Sequence, residues 1–87
     1  MNQAILFTDI QSWHTATQSV KFTAQQSGAL IDCYITKKKL EKLSGLSMKT
    51  EQAIMDVFVE YRFEVEEIAE QLIEDEAFNE EGCVVIK

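Results

Sequence analysis

The chain has 87 residues, of which 46% are hydrophobic and 26% are charged; this composition excludes a disordered chain and predicts a single domain over residues 1–87. Its formal net charge of −7 is unevenly distributed, since residues 1–49 hold six lysines and three acidic residues, whereas residues 50–87 hold two basic and twelve acidic residues. An acidic balance of this kind argues against a general nucleic-acid binder, which usually presents a broad basic face.

The first predicted element is a short buried strand. The run Gln3–Phe7 is largely apolar and ends at Thr8 and Asp9, as expected for a core strand. The mostly polar residues 9–18 surround Trp13, which predicts a loop or a single helical turn held to the core by the indole. His14 is then a solvated loop histidine.

Residues 19–36 predict an antiparallel hairpin with a two-residue turn at Ser27-Gly28. On one face, this register pairs apolar residues only: Ala24 with Ile31, Phe22 with Cys33, and Val20 with Ile35. The other face pairs Lys21 with Tyr34, Thr23 with Asp32, and Gln25 with Leu30. Because a slip of one residue would exchange the two faces, the pattern specifies the register. Leu30 and Tyr34 are expected to be exposed and to extend any interaction surface.

A short helix is predicted to follow the hairpin. Thr36 carries the hydroxyl of an N-cap, and Gly45 can adopt the left-handed conformation that ends many helices. Between them, Leu40 and Leu43 are spaced to point inward while the lysines face water. The sequence therefore predicts a helix over residues 37–44.

From Thr50 to residue 76, apolar residues repeat with helical spacing. A continuous helix of that length would extend roughly 40 Å at 1.5 Å per residue, which exceeds the width of a compact domain of this size. We therefore predict a bend or break near residues 62–64. Beyond the helix, residues 79–82 predict a turn, and Cys83–Ile86 predict a last strand in the same sheet.

In combination, these elements predict an α+β fold, a small and mainly antiparallel sheet with helices packed on one face. The residues predicted to form its core are Ile5, Phe7, Val20, Phe22, Ile31, Cys33, Ile35, Leu40, Ile54, Phe58, Tyr61, Val65, Ile68, Leu72 and Val84. Since Cys33 belongs to this set, burial should raise the pKa of its thiol and suppress its reactivity.

Landmarks spread over nearly the whole chain form a recognisable combination. They are Ile5, Phe7, Asp9, Trp13, Val20-x-Phe22-x-Ala24, Gly28, Cys33-x-Ile35, Tyr61-Arg62-Phe63, the run from Val65 to Ile73, and Gly82-x-Val84-x-Ile86. With these residues the chain resembles the DUF1488 family of small bacterial proteins of unknown function. The resemblance implies a small soluble α+β protein and no established activity.

The acidic helix surface of the second half is the candidate functional site. Glutamates spaced four residues apart lie along one edge of a helix, away from its apolar stripe. The candidate partner-binding residues are Glu66, Glu67, Glu70 and Glu74. They predict a non-catalytic interaction or regulatory module whose partner is a protein with a basic surface. The alternative interpretation is a solvated face that only maintains solubility.

Two other classes of function are kept as alternatives. Weak contact with nucleic acid would use the helix that carries Lys37–Lys42. A small enzyme or metal-binding protein would need a reactive group, yet His14 has no recognisable nucleophile motif to activate. The chain has neither a Glu-x-x-His pair nor an EF-hand loop. We therefore predict that the protein is not an enzyme and has no catalytic residue, cofactor or metal site.

The N-terminus and the cysteines bear on the cellular compartment. Met1–Phe7 has no basic residue and only a short apolar run, unlike a signal peptide or a transmembrane helix. Cys33 and Cys83 lack the spacing of a zinc site or a disulfide framework, so we expect reduced thiols. These features predict a cytoplasmic protein without membrane contact, and they leave its oligomeric state open.

Overall fold

The computed structural model describes residues 5–87, which form a four-stranded sheet and three α-helices. In chain order, the elements are β1 (Ile5–His14), β2 (Ser19–Gln26), β3 (Ala29–Thr36), α1 (Lys37–Ser44), α2 (Glu51–Glu60), α3 (Arg62–Glu74) and β4 (Val84–Ile86). The strands lie in the order β1-β2-β3-β4, with antiparallel pairing except between β3 and β4, which are parallel. The predicted α+β class and the membership of the last strand in the same sheet are confirmed.

The hairpin formed by β2 and β3 has the predicted register at every pair, including Phe22 opposite Cys33 and Val20 opposite Ile35. Its apolar face is buried beneath the helices, whereas Leu30 on the opposite face is 70% exposed, as predicted. Tyr34 is only half-buried, because its ring packs edge-on against His14 with 5.4 Å between the ring centroids. The helices therefore cover one face of the sheet and leave the other open.

The turn of this hairpin supports a test of its geometry. Gly28 has φ +83°, and a Cβ added there would meet no atom within 4 Å. Gly28→Ala should therefore destabilise the fold by about 1 kcal/mol through backbone strain alone. Urea unfolding would measure this change, with Gly28→Asn as the control, because asparagine tolerates the left-handed region better than alanine. An alanine variant as stable as the parent protein would contradict the turn.

The predicted end of the first strand is wrong, as is the loop or helical turn over residues 9–18. Residues 5–14 form one strand, followed by a 3₁₀ turn at Thr15–Thr17; Gln3 and Ala4 of the prediction lie outside the described residues. Phe7 is opposite Ala24 and Gln11 is opposite Phe22, so β1 bulges by two extra residues between them. Two extra residues leave the alternation of side chains unchanged, so Phe7 and Gln11 lie on the same face of the sheet. The polar residues that follow Phe7 therefore belong to a bulged strand rather than to a loop.

After the bulge, Trp13 pairs with Val20 and packs partly buried against the core, so its predicted anchoring role is confirmed. Both ends of the predicted helix over residues 37–44 are confirmed as well. The Thr36 hydroxyl accepts the Lys39 backbone N–H at 3.1 Å, and Gly45 adopts the left-handed conformation at φ +74°. Leu40 is fully buried beneath this helix.

The long helix is broken as predicted, but the break lies at Tyr61, just before the predicted residues 62–64, with φ −102° and ψ 18°. α2 begins after its N-cap Thr50 and contacts β1, whereas α3 starts beside β1 and also contacts β4. α3 therefore crosses the covered face of the sheet. No helix within residues 5–87 combines the length and the hydrophobicity needed to cross a membrane.

The core of the domain matches the prediction for the sheet better than for α3. The predicted core residues that are only partly buried are Ile5, Phe7, Ile31, Tyr61, Ile68 and Leu72. In α3, the predicted core residue Val65 is fully buried, and the buried stripe continues through Ala69 and Ile73, which the predicted core did not include. This stripe has four-residue spacing along one side of the helix.

Candidate functional site

A groove rich in glutamate lies between the start of β1 and the first half of α3, and we call it the acidic groove. Its volume is about 700 Å³. It is lined by Ile5, Phe7, Glu60, Phe63, Glu64, Glu66, Glu67 and Glu70. This volume falls within the range of ordinary ligand sites.

Helical spacing explains how the acidic groove forms from the sequence. Glu67 follows Phe63 by four residues and precedes Glu70 by three, so these side chains lie along one side of α3. Glu60 comes from the last turn of α2, on the other side of the break at Tyr61. The wall opposite to the helices is the half-buried pair Ile5 and Phe7 of β1.

Arg62 joins the helices to the bulge of β1. Its Nε donates to Glu66 at 2.6 Å, one terminal nitrogen donates to the Gln11 side-chain oxygen at 2.6 Å, and the other donates to the Thr8 carbonyl oxygen. The guanidinium carbon also lies 5.6 Å from the centroid of the Phe58 ring, within the range of a cation–π contact. Arg62 therefore holds the start of α3 against β1.

The structure separates the four glutamates that the sequence singled out. Glu66 is engaged by Arg62, and its side chain is only 19% exposed, so little of its carboxylate is accessible from outside. Glu67 and Glu70 line the acidic groove, whereas Glu74 is exposed on the last turn of α3 and does not line it. Glu67 and Glu74 are thus exposed to solvent, whereas Glu66 is only partly exposed.

Sequence reasoning missed several members of the acidic groove. Glu60 ends α2 and Glu64 lies in the first turn of α3, so the break at Tyr61 separates them and helical spacing along one helix could not place them together. The β1 wall could not be found from local spacing, because Phe7 and Glu67 are far apart in the chain. The sequence placed Phe63 near a bend but did not indicate that its side chain lines the acidic groove, where it is 83% exposed.

The glutamates of the acidic groove carry a largely uncompensated negative charge. Among residues 5–87, the ion pairs within 4.0 Å are Lys21–Asp32 and Arg62–Glu66. Glu60, Glu64, Glu67 and Glu70 consequently have no cationic partner within the described part of the chain. Like charges three or four residues apart on a helix repel by a few tenths of a kcal/mol per pair, so a cation placed in this groove relieves repulsion as well as gaining attraction.

A smaller cleft of about 330 Å³ lies on the open face of the sheet, around His14, Tyr34 and Cys83. His14 was predicted in a loop, but it ends β1 half-buried, with Nδ1 2.9 Å from the Thr17 hydroxyl oxygen. Desolvation raises the pKa of the Cys83 thiol, which disfavours the nucleophilic thiolate. Within the described residues, no group of three or more His, Cys, Asp or Glu side chains is arranged to hold a metal ion.

The two cysteines are both free thiols in the structure. Cys33 is fully buried on the covered face of β3, and desolvation raises the pKa of its thiol to about 12, as its predicted core position requires. Cys83 immediately precedes β4, and Val84, the residue after it, is the partner of Cys33. Because successive residues of a strand point to opposite faces, the two thiols are directed to opposite sides of the sheet.

Comparisons with known proteins agree with one another. A family model described as "Protein of unknown function (DUF1488)" matches residues 5–86. The uncharacterized protein YrdB of Escherichia coli K12 is 32% identical over 85 residues, covering 97% of this chain and 96% of the relative; its Shigella flexneri counterpart is 31% identical with the same coverage. The crystal structure of a DUF1488 protein of unknown function from Shewanella loihica PV-4 is similar with a TM-score of 0.94 and 42% identity, over 99% of this chain and 94% of that chain.

Proposed function

Since the chain belongs to the DUF1488 family of proteins of unknown function, we propose from its own geometry that it is a non-catalytic interaction module whose acidic groove binds an arginine-containing basic segment of a partner protein. The family model and the relatives confirm the resemblance to this family that the sequence suggested. The observation that carries the proposal is a concave site of about 700 Å³ that combines apolar side chains with four glutamates that have no ion-pair partner among residues 5–87.

The negative charge of the acidic groove favours a partner with basic side chains. Glu60, Glu64, Glu67 and Glu70 line one cavity, and each carboxylate can accept a charge-assisted hydrogen bond from an arginine or a lysine. Arginine is the better ligand, because its planar fork can engage a carboxylate with two parallel hydrogen bonds. The negative field of the second half of the chain also accelerates the encounter with a basic partner at low salt.

The apolar side chains of the acidic groove can add hydrophobic and stacking contacts to the attraction between charges. Phe63 is 83% exposed, an unusual environment for an aromatic ring that has no partner to cover it. Its face can stack with a guanidinium, and its edge can pack on an aliphatic side chain. Ile5 and Phe7 offer a half-buried wall. The proposed ligand is therefore a segment in which arginines alternate with apolar residues.

We also propose that the protein works in the cytoplasm of a bacterium. The two cysteines are free, which supports a reducing compartment. The relatives compared above come from Escherichia coli, Shigella flexneri and Shewanella loihica, which supports a bacterial source. A cytoplasmic location would bring the acidic groove into contact with basic proteins.

A peptide titration tests the proposed site. Replacing Glu64, Glu67 and Glu70 with glutamine should weaken binding of a synthetic nine-residue peptide of alternating arginine and leucine by about tenfold, since three exposed ion pairs contribute about 0.5 kcal/mol each. Affinity for the unmodified protein should also fall as salt rises, because exposed charges are screened. Isothermal titration calorimetry at two salt concentrations measures both effects.

The matched control replaces Glu74, Glu76 and Glu80, which are exposed and lie outside the acidic groove. Both triple variants remove the same charge, so a specific site predicts that the control retains most of its affinity. Equal weakening in the two variants would show that only net charge matters and would refute the acidic groove as a site. Phe63→Ala adds a second readout, because losing the ring should reduce affinity with little effect on the salt dependence.

A further inference from the structure

A second charged concavity lies at the opposite edge of the sheet, where α1 approaches the end of β4, and we call it the lysine pocket. It is lined by Thr36, Lys38, Lys39, Lys42 and Lys87, and its volume is about 400 Å³. Three of the lysines belong to α1, whereas Lys87 follows the last strand of the sheet. Only the fold brings the fourth lysine to the other three.

The lysine pocket carries positive charge without internal compensation. None of its four lysines has a carboxylate within 4.0 Å among residues 5–87, where the ion pairs are those of Lys21 and Arg62. Glu41, the acidic residue of α1, does not line this pocket, and its Oε2 accepts the backbone N–H of Met48 at 3.2 Å. The four lysine side chains are therefore free to pair with an anion that enters the pocket.

Two structural features fit this pocket to phosphate. The first turn of α1 carries Lys38 and Lys39, where the positive end of the helix dipole adds to the lysine charge, whereas Lys42 lies in the last turn. Lysine binds phosphate well as a point charge, even without the fork of arginine. Four lysines around about 400 Å³ match a compact anion that bears three to five negative charges.

The field of the whole protein limits how large the anion can be. The acidic groove borders β1 and the lysine pocket borders β4, the two edges of the sheet, and three interstrand spacings separate those edges by roughly 14 Å. A long polyanion would extend beyond the pocket toward a protein of net charge −7, whereas a small anion stays within about one Debye length of the lysines. A small anion is therefore a better ligand for the lysine pocket than a nucleic-acid strand.

We propose that the lysine pocket is a binding site for a small oligophosphate group, held by Lys38, Lys39, Lys42 and Lys87. This site is separate from the acidic groove, so it stands or falls independently of the proposed function. The sequence-based alternative, nucleic acid bound by the helix of Lys37–Lys42, differs in two respects, because it needs neither Lys87 nor a compact ligand.

Calorimetric titration of the full-length protein with inorganic tripolyphosphate tests this site. We expect saturable binding of one anion, and a loss of about tenfold in affinity for the variant Lys39→Gln with Lys42→Gln. The control variant Lys21→Gln with Lys49→Gln removes the same charge outside the pocket, and its affinity should change by less than about twofold. No saturable binding, or equal losses in both double variants, would overturn the proposal.

A second pair of variants separates the pocket from the helix alone. Lys87→Gln should weaken tripolyphosphate binding severalfold, whereas Lys37→Gln should not, because Lys37 belongs to α1 but does not line the lysine pocket. A reversed order of the two effects would overturn the pocket. A twelve-nucleotide single strand is the last arm: it should bind more weakly than tripolyphosphate, and tighter, steeply salt-dependent binding of the strand would replace the proposal with nucleic-acid binding.

Discussion

Replacing Phe58 with alanine should lower the free energy of unfolding by about 3–5 kcal/mol, the largest effect that we expect of a single substitution. The side chain is fully buried, and its ring centroid lies 5.4 Å from that of Phe22. It also supports Arg62, whose guanidinium lies above the ring. A domain of this size is stable by about 5–10 kcal/mol, so much of its stability depends on this contact between α2 and the sheet.

Urea unfolding followed by circular dichroism measures the change as a lower midpoint. Val59→Ala is the neighbouring control, because that side chain is 53% exposed and its loss should change stability by less than about 0.5 kcal/mol. Phe58→Leu keeps part of the buried volume and should fall between the two. A loss below about 1 kcal/mol for Phe58→Ala would contradict the packing of α2 on β2.

Replacing Arg62 with alanine should destabilise the fold by about 2–3 kcal/mol. The substitution removes three donors at once and leaves the Thr8 carbonyl, the Gln11 side-chain oxygen and the Glu66 carboxylate without them. The side chains of Arg62 and Glu66 are only 16% and 19% exposed, so water compensates incompletely. The expected loss is therefore smaller than that of a fully buried ion pair.

A double-mutant cycle checks that this loss reflects the network rather than the volume of the side chain. Arg62→Ala, Glu66→Gln and the double variant are compared by urea unfolding, with a coupling of about 1 kcal/mol expected between the two sites. Arg62→Lys keeps the charge but not the planar fork, and it should recover less than half of the loss. Strictly additive effects would contradict the ion pair.

The network of Arg62 also bears on the acidic groove. Because Arg62 attaches the start of α3 to the bulge of β1, its loss should increase the mobility of one wall relative to the other. Substitution of Glu66 should mainly lower the stability of the fold. Substitution of Glu67 or Glu70 should mainly weaken binding in the acidic groove. This distinction is why Glu66 was left unchanged in the groove variant.

Several features of the fold could be predicted from the sequence because they depend on neighbours in the chain. The register of the hairpin follows from strict alternation around Ser27-Gly28, and any slip would bury the wrong face. The ends of α1 follow from the Thr36 hydroxyl and from the left-handed conformation of Gly45. The surplus of glutamate in the second half is likewise a property of composition alone.

The extent of β1 and both charged sites were decided by tertiary structure. The sequence from Thr8 to Ile10 predicts the end of a strand. In the structure, β1 continues because β2 pairs with it on both sides of the bulge, and Arg62 donates to the Thr8 carbonyl oxygen within that bulge. Lys87 joins the lysines of α1 only because β4 lies beside β3. Local sequence specifies propensities and faces, but contacts between residues about fifty positions apart depend on how the elements pack together. Spacing along the chain therefore revealed which helix is acidic, and packing decided which of its glutamates line a groove and which one is bound by Arg62.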